Sequence, residues 1–407
     1  MTGVQTCALP ISRLLFVSPR FLFPLDQGGK IRTANILRNM KGGAFEIFLA
    51  SPVPEDAARY AEDIAAVCDR FLSWLEAVPS KLSRAVSVLG ALPVAVASDR
   101  SAAGARVLSA ALGEKPDIVL VDFPHAGVLL PPLVDAATVM FTHNVEAEIF
   151  ERHAELATGP MRWVWRSQAA KMRRFEGDVL RRFDAVIAVS ARDTAALTKR
   201  YDLPNVATID TGVDLDFFAF QPPADAPVSE IVFTGTMSWP ANAEGIAWLM
   251  DDIWPRVIAA RPDARATIVG RGAPEALVAK AKNLHWRFTG FVDDIRPHVG
   301  AAQVYVIPLR IGSGTRIKAF EALAMGRPVV STRIGVEGLD IADGEHFLAA
   351  DTAEDFAGAI LRLLDDAALR ARLADAARAL VATKFSWAQV ARQFEAICLA
   401  ALSRHAR

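Results

Sequence analysis

The chain has 407 residues, of which 52% are hydrophobic, and a formal net charge of −1. That length exceeds one ordinary core and points to two domains, while the near-neutral charge excludes a nucleic-acid coat or a polybasic arm. No apolar run reaches the roughly 18 residues of a membrane span, and three isolated cysteines, Cys7, Cys68 and Cys398, give neither a disulfide framework nor a metal spacing, which fits a reducing cytoplasm.

Residues 1–12, MTGVQTCALPIS, lack the cationic start of a secretion signal and any strand or helix period. They resemble translated adaptor sequence and are expected to be a non-native or disordered leader. From Arg13, RLLFVSP reads as a strand and GGKIRTANILRNM as a helix. FEIFLASP and the helical EDAARYAEDIAAV follow, then the strands PDIVLVDFP, ATVMFTH and DAVIAVS, giving a first domain over 13–211. The Asp- and Pro-rich stretch TGVDLDFFAFQPPADAP reads as a linker over 212–228. The rhythm restarts with EIVFTG, the helical AEGIAWLMDDIWPRVIAA, then ATIVG, HWRFTG, QVYVIPL and PVVST, a second domain over 229–384. FSWAQVARQFEAICLAAL, within 385–407, reads as an amphipathic helix returning to the first domain. Strands apolar on both faces that alternate with helices imply parallel sheets covered on both sides. The expected class is therefore α/β, with two doubly wound Rossmann-like domains whose strand carboxyl ends face a cleft.

The segment RIGSGTRIKAFEALAMGRP, Arg310–Pro328, concentrates polar chemistry between two of these strands. A short glycine-containing loop entering a helix presents free N–H groups and a positive dipole end, which suits phosphate. Gly314 allows close approach, Ser313 or Thr315 can donate a hydroxyl hydrogen bond, and Arg316 adds a charge-assisted contact. Glu321, a turn or more into the helix, can accept from a ribose diol. An equally weighted alternative makes the hydroxyls simple N-caps and Lys318 with Glu321 a surface i,i+3 pair.

GSGTRIKAFEALAMGRPVVST, with FTG, IVGRG and FTGFVDDI upstream, resembles the carboxyl-terminal half of family 4 glycosyltransferases of the GT-B fold. QGGKIRTANIL, FTHN, DAVIAVS and TGVDLDFF resemble successive motifs of the family's first half, so the likeness covers nearly all of Arg13–Leu402. The resemblance implies retaining transfer from a nucleotide diphosphate sugar, with no metal and no other cofactor. It places Glu321 on the donor ribose, the amides around Gly314 and Thr315 on the β-phosphate, and Gly28, Gly29 and Gly235 beside the donor. His143 matches the histidine that contacts the transferred sugar. Two departures are plain: Ser313 stands where the family carries the first glutamate of its E-x7-E motif, and Thr236 stands where many members have an arginine after FTG. Arg316 and Lys318 would then have to supply the charge that neutralises the diphosphate.

Read without the family, Gly28 and Gly29 either face a ligand or merely permit a turn, and a lone His143 is more often structural than catalytic. Glu146 and Glu148 read first as dipole-favoured acids of a helix start, with acceptor activation as the alternative. Asp214 and Asp216 form a DxD pattern, but in a linker and without a third converging ligand they do not read as a metal site. The basic stretch Met161–Phe183, with Trp163 and Trp165, fits either an anionic membrane surface or a packed helix with a solvated cationic face. The expected partners are a nucleotide sugar and a glycan or lipid-linked acceptor, with no nucleic acid, at a cytoplasmic location that includes the inner membrane face. A sugar-nucleotide epimerase of the same fold and a non-catalytic partner subunit are the rival readings.

Overall fold

A computed structural model describes residues 12–76, 80, 87–222, 229–282, 284–311 and 317–406. The chain divides into two compact units, one formed by 1–210 with 390–407 and the other by 211–389.

In the first unit the strands are β1 (Ser12–Val17), β2 (Phe45–Val53), β3 (Arg70–Leu75), β4 (Ile118–Asp122), β5 (Ala137–Phe141), β6 (Ala185–Ala188) and β7 (Val206–Thr208). They form one sheet in the order β3-β2-β1-β4-β5-β6-β7, with every neighbouring pair parallel. Every residue of β4, β5 and β6 is buried, as expected for strands covered on both faces. The strand order reverses between β1 and β4, so the carboxyl ends of these two strands mark the topological switch point where such sheets bind ligands.

The second unit holds β8 (Glu230–Thr234), β9 (Arg265–Val269), β10 (Trp286–Phe288), β11 (Val304–Ile307), β12 (Val329–Ser331) and β13 (Leu348–Ala349). Their order is β10-β9-β8-β11-β12-β13, again all parallel, with the switch point between β8 and β11. Trp254 and Trp286 meet edge to face with centroids 5.5 Å apart on one side of this sheet, and Phe320 and Phe385 lie 4.5 Å apart in a second cluster.

Three strands, β3, β7 and β13, were not legible as alternating apolar runs. They lie at or next to sheet edges, and β3 buries only Trp74 fully. The long helix read from Ala243 onward is interrupted by a π-helical turn, Leu249–Ile253, between the helices Pro240–Trp248 and Trp254–Ala260. Pro255 explains this, because it lacks an N–H and its ring clashes with the carbonyl four residues earlier. The described part of the expected linker, 212–222, packs within the second unit: Gln221 N–H donates to the Met325 carbonyl at 3.2 Å and Phe218 joins that unit's core. The last helix, Trp387–His405, passes into the first unit, where Phe394 meets Phe141 at 5.1 Å and Glu395 accepts from the Ala44 N–H at 2.8 Å. Among the described residues no helix is long and apolar enough to cross a membrane.

Candidate functional site

In the first unit, polar side chains gather at the switch point. Asp122, the last residue of β4, is 1% exposed, and its carboxylate accepts from Thr33 Oγ1 at 3.1 Å and Ser18 Oγ at 3.3 Å. His143 Nε2 lies 2.7 Å from Asp122 Oδ1 and its Nδ1 lies 3.0 Å from Arg32 Nη1. Because a guanidinium can only donate, Nδ1 is the acceptor and the ring proton sits on Nε2, aimed at Asp122. Burial holds the His143 pKa below the ordinary histidine value, despite the Asp122 charge. The result is a buried Arg32–His143–Asp122 relay with a neutral imidazole bridging two opposite charges.

The ring faces are occupied as well. Phe123 stacks on His143 at 4.2 Å and Phe141 lies tilted at 4.3 Å. Phe123 holds φ +67°, a left-handed conformation unusual for a bulky residue and typical of functional turns. Gly29, in the first turn of the helix Gly28–Met40, is where that ring needs room: a Cβ there would come within 2.9 Å of Phe123 Cζ. Gly29 and His143 are thus brought together, the same Cβ position lying 3.7 Å from His143 Nδ1. A ring-nitrogen contact from His143 to a sugar would require exchanging Arg32 or Asp122.

Removing the imidazole leaves both buried charges without their bridge. His143→Ala is expected to lower stability by about 3–5 kcal/mol, the usual cost of breaking a buried charge network, read as a lower midpoint in urea unfolding.

The turn that carries His143 is held from behind. Glu176, 0% exposed near the carboxyl end of the helix Gly159–Leu180, accepts from the N–H groups of Glu146 at 2.7 Å and Ala147 at 3.0 Å, and from Tyr201 Oη at 2.6 Å. It therefore caps the helix Glu146–Leu156 from another element, and burial pushes its pKa up to about 7. Glu148, two residues on from Glu146, pairs with the exposed Arg192 at 2.5 Å.

In the second unit, β8 runs into Gly235 at φ +154°. A Cβ on Gly235 would lie 2.9 Å from both Asn242 Nδ2 and Lys318 Nζ, so only glycine leaves this space open. Lys318, in the first turn of the helix Ile317–Ala324, donates to Asn242 Oδ1 at 2.9 Å and lies 4.2 Å over the Phe233 ring. Asn242 Nδ2 donates to the Thr236 carbonyl at 2.8 Å, which fixes the direction of the amide. Lys318 is therefore not one half of a surface pair with Glu321: its ammonium turns inward to a neutral amide and an aromatic face.

Glu321 is partly buried, and desolvation pushes its carboxyl up to about 7 even with Lys318 nearby. Among the described residues its carboxylate accepts no hydrogen bond, which leaves it available to a ligand. Ser313, Gly314, Thr315 and Arg316 lie outside the described residues. Asp214 Oδ1 accepts from the N–H groups of Asp216 at 3.1 Å and Phe217 at 2.9 Å, a turn-capping use. Sequence reasoning missed Arg32, Asp122, Asn242, Glu176 and His125. Of these only Asp122 left a trace, as a carboxylate ending an otherwise apolar strand.

Two family models match: Glycosyltransferase Family 4 over residues 33–217 and Glycosyl transferases group 1 over 229–366. A phosphatidyl-myo-inositol mannosyltransferase of Mycolicibacterium smegmatis is 32% identical over 202 residues, 46% of this chain and 51% of that protein. The chain thus spans about half the length of these mannosyltransferases. A glycogen synthase of Mycobacterium tuberculosis is 26% identical over 305 residues, 70% of this chain and 69% of that one. Among solved structures, Anabaena Alr3699/HepE in complex with UDP aligns with a TM-score of 0.65 at 16% identity, covering 94% of this chain and 98% of that one. TarM aligns with a TM-score of 0.66 at 12% identity, covering 95% and 98%. The chain belongs to the GT-B glycosyltransferases, with a family 4 amino-terminal region and a group 1 carboxyl-terminal region.

Proposed function

We propose that the chain is a retaining glycosyltransferase that moves a sugar from a UDP- or GDP-linked donor to a hydroxyl of a glycan or lipid-linked acceptor, in cell-surface polysaccharide synthesis. The observation that carries the donor assignment is Glu321: a desolvated carboxylate at the switch point of the second sheet, with no hydrogen bond among the described residues, suits a ribose diol. Lys318 and the cleared space at Gly235 suit the diphosphate, and Arg316 with the amides of 313–315 would complete its cradle. Stabilising the charge that develops on the departing diphosphate is then the main catalytic term, without metal. UDP in the HepE complex supports a nucleotide donor, and the mannosyltransferase relatives, named for phosphatidyl-myo-inositol, support a lipid-linked acceptor.

A thermal-shift screen against UDP- and GDP-sugars tests this. At a ligand concentration of 100 times Kd, binding adds about 2.7 kcal/mol to the native state, so the matching donor should raise Tm by several degrees. Lys318→Ala should shrink that rise; no response to any nucleotide sugar would contradict the donor assignment.

The basic helix is a candidate for contact with the inner membrane face. Trp163 is 74% exposed and Met161 is 53% exposed, beside the exposed Arg162 and Arg166, while Trp165 stacks on His153 at 4.5 Å. Flotation with anionic liposomes is expected to carry the protein and to lose it in Trp163→Ala/Arg166→Ala. Equal flotation of variant and wild type would remove this helix as the anchor.

A further inference from the structure

The segments that follow β8 and β11, the two strands flanking the second unit's switch point, are joined through Asn242. Asn242 lies in the first turn of the helix Pro240–Trp248, is 7% exposed, and its N–H donates to the Trp239 carbonyl at 3.0 Å. Its amide nitrogen donates to the Thr236 carbonyl at 2.8 Å, in the loop after β8. Its amide oxygen accepts from Lys318 at 2.9 Å, on the helix that follows β11. Turning the amide over would set oxygen against oxygen and nitrogen against ammonium, so the acceptor stays aimed at Lys318.

The surroundings fix where that ammonium stands. The Gly235 N–H donates to the Val269 carbonyl at 2.8 Å, and a Cβ on Gly270 would strike the Gly235 carbonyl, so the end of β9 backs Gly235 closely. The side on which Gly235 lacks a Cβ faces Asn242 and Lys318. Lys318 Nζ also lies 4.2 Å over the ring of Phe233, a β8 residue with 0% exposure. Lys318 itself is only partly buried, which leaves its charge within reach of a solute.

The chemistry of the two partners decides what they do. An amide oxygen and an aromatic face stabilise an ammonium without cancelling its charge. A carboxylate at 242 would cancel it, and an apolar side chain would leave a flexible four-carbon stem unheld. Glu321, three residues on, feels the Lys318 charge but accepts no hydrogen bond from it. An anion gains most from such a cation when another group has already fixed it in place.

We propose that Asn242 is a positioning residue for a diphosphate: it holds the Lys318 ammonium beside Gly235 without neutralising it, so that the cation meets the anion already in place. This rests on the reading of the second switch point as the nucleotide-donor site.

Calorimetry of the full chain with UDP and GDP tests it, through a double-mutant cycle of Asn242→Ala and Lys318→Met. One nucleotide is expected to bind the wild type, and Asn242→Ala to weaken it about tenfold, near the lower end for a hydrogen bond to a charged group. In the Lys318→Met background the same substitution should change affinity less than about twofold, since no ammonium remains to be held. Asn242→Asp has nearly the same shape and keeps the accepting oxygen, but it neutralises the cation and should bind at least as weakly as Asn242→Ala. Wild-type affinity in either Asn242 variant overturns the positioning role. So does a loss that persists undiminished beside Lys318→Met, which would show Asn242 acting on the loop after β8 alone. The wild type separates the two claims. Binding that is indifferent to Asn242→Ala removes the positioning role and leaves the donor site standing; no binding of either nucleotide removes the donor site, and with it the anion that Asn242 serves.

Discussion

Glu321→Ala is expected to weaken nucleoside diphosphate binding by about 100-fold, or about 2.7 kcal/mol. Hydrogen bonds to a charged group contribute about 1.5–3 kcal/mol each, and a ribose diol supplies two donors to a carboxylate that has no protein donor among the described residues. The loss should be near the lower end of that pair, because the carboxylate sits desolvated in the free protein and its removal relieves that cost. Glu321→Gln should fall between wild type and alanine, since the amide keeps one acceptor oxygen. The same residue sets a pH dependence. With the carboxyl pushed up to about 7 in the free protein, the accepting form is lost as the pH falls through that value. Affinity should therefore drop about tenfold from pH 8 to pH 6 in the wild type, over and above whatever Glu321→Ala shows, since the variant cannot titrate there. Calorimetry at the two pH values checks both statements; equal affinity of wild type and alanine variant would remove Glu321 from the nucleotide.

Arg327→Ala is expected to be the most destabilising single change in the second unit. Arg327 is 0% exposed, and among the described residues its guanidinium meets only carbonyls. It donates to Gly300 at 3.2 Å, Ala302 at 3.1 Å and Pro222 at 3.1 Å, and also to Gln221 and Met325. One fork thus ties three stretches: the chain entering the unit, the start of β11 and the turn before β12. Desolvation lowers its pKa to about 10, and it stays charged at neutral pH. Truncation leaves several buried carbonyls without donors at about 1–3 kcal/mol each, so a loss of about 3–5 kcal/mol is expected after relaxation. Arg327→Lys should recover only part, because an ammonium cannot reproduce the planar fork. Urea unfolding followed by tryptophan fluorescence reads this, and a loss below about 1 kcal/mol would show that the carbonyls find other donors.

The sheets were legible because strands such as Ile118–Asp122 and Ala137–Phe141 are apolar on both faces, a pattern that survives in one dimension. The edge strands were not, since Arg70–Leu75 is mostly exposed and carries little periodicity. Glycine-containing loops after strands located Gly28, Gly29, Gly235 and His143 at carboxyl ends, because that property depends only on local order. What each side chain touches depends on tertiary convergence. Arg32 and His143 are 111 positions apart, and Lys318 meets Asn242 across 76, so neither the relay nor the inward ammonium has a sequence signature. Glu176 lies in the basic stretch Met161–Phe183, and nothing in that stretch marks it as the fully buried cap of another helix's amides. Arg327, between Gly326 and Pro328, has no local pattern that marks it as a buried carbonyl clamp.

The most direct measurement is a calorimetric titration of the wild-type chain with UDP and GDP beside their 2′,3′-dideoxy counterparts. One ribonucleotide is expected to bind, and to bind about 100-fold more tightly than its dideoxy form, because only it carries the hydroxyls that Glu321 accepts. Equal binding of the two forms, or no binding of either ribonucleotide, would contradict the assignment of the second unit's switch point to a nucleotide donor.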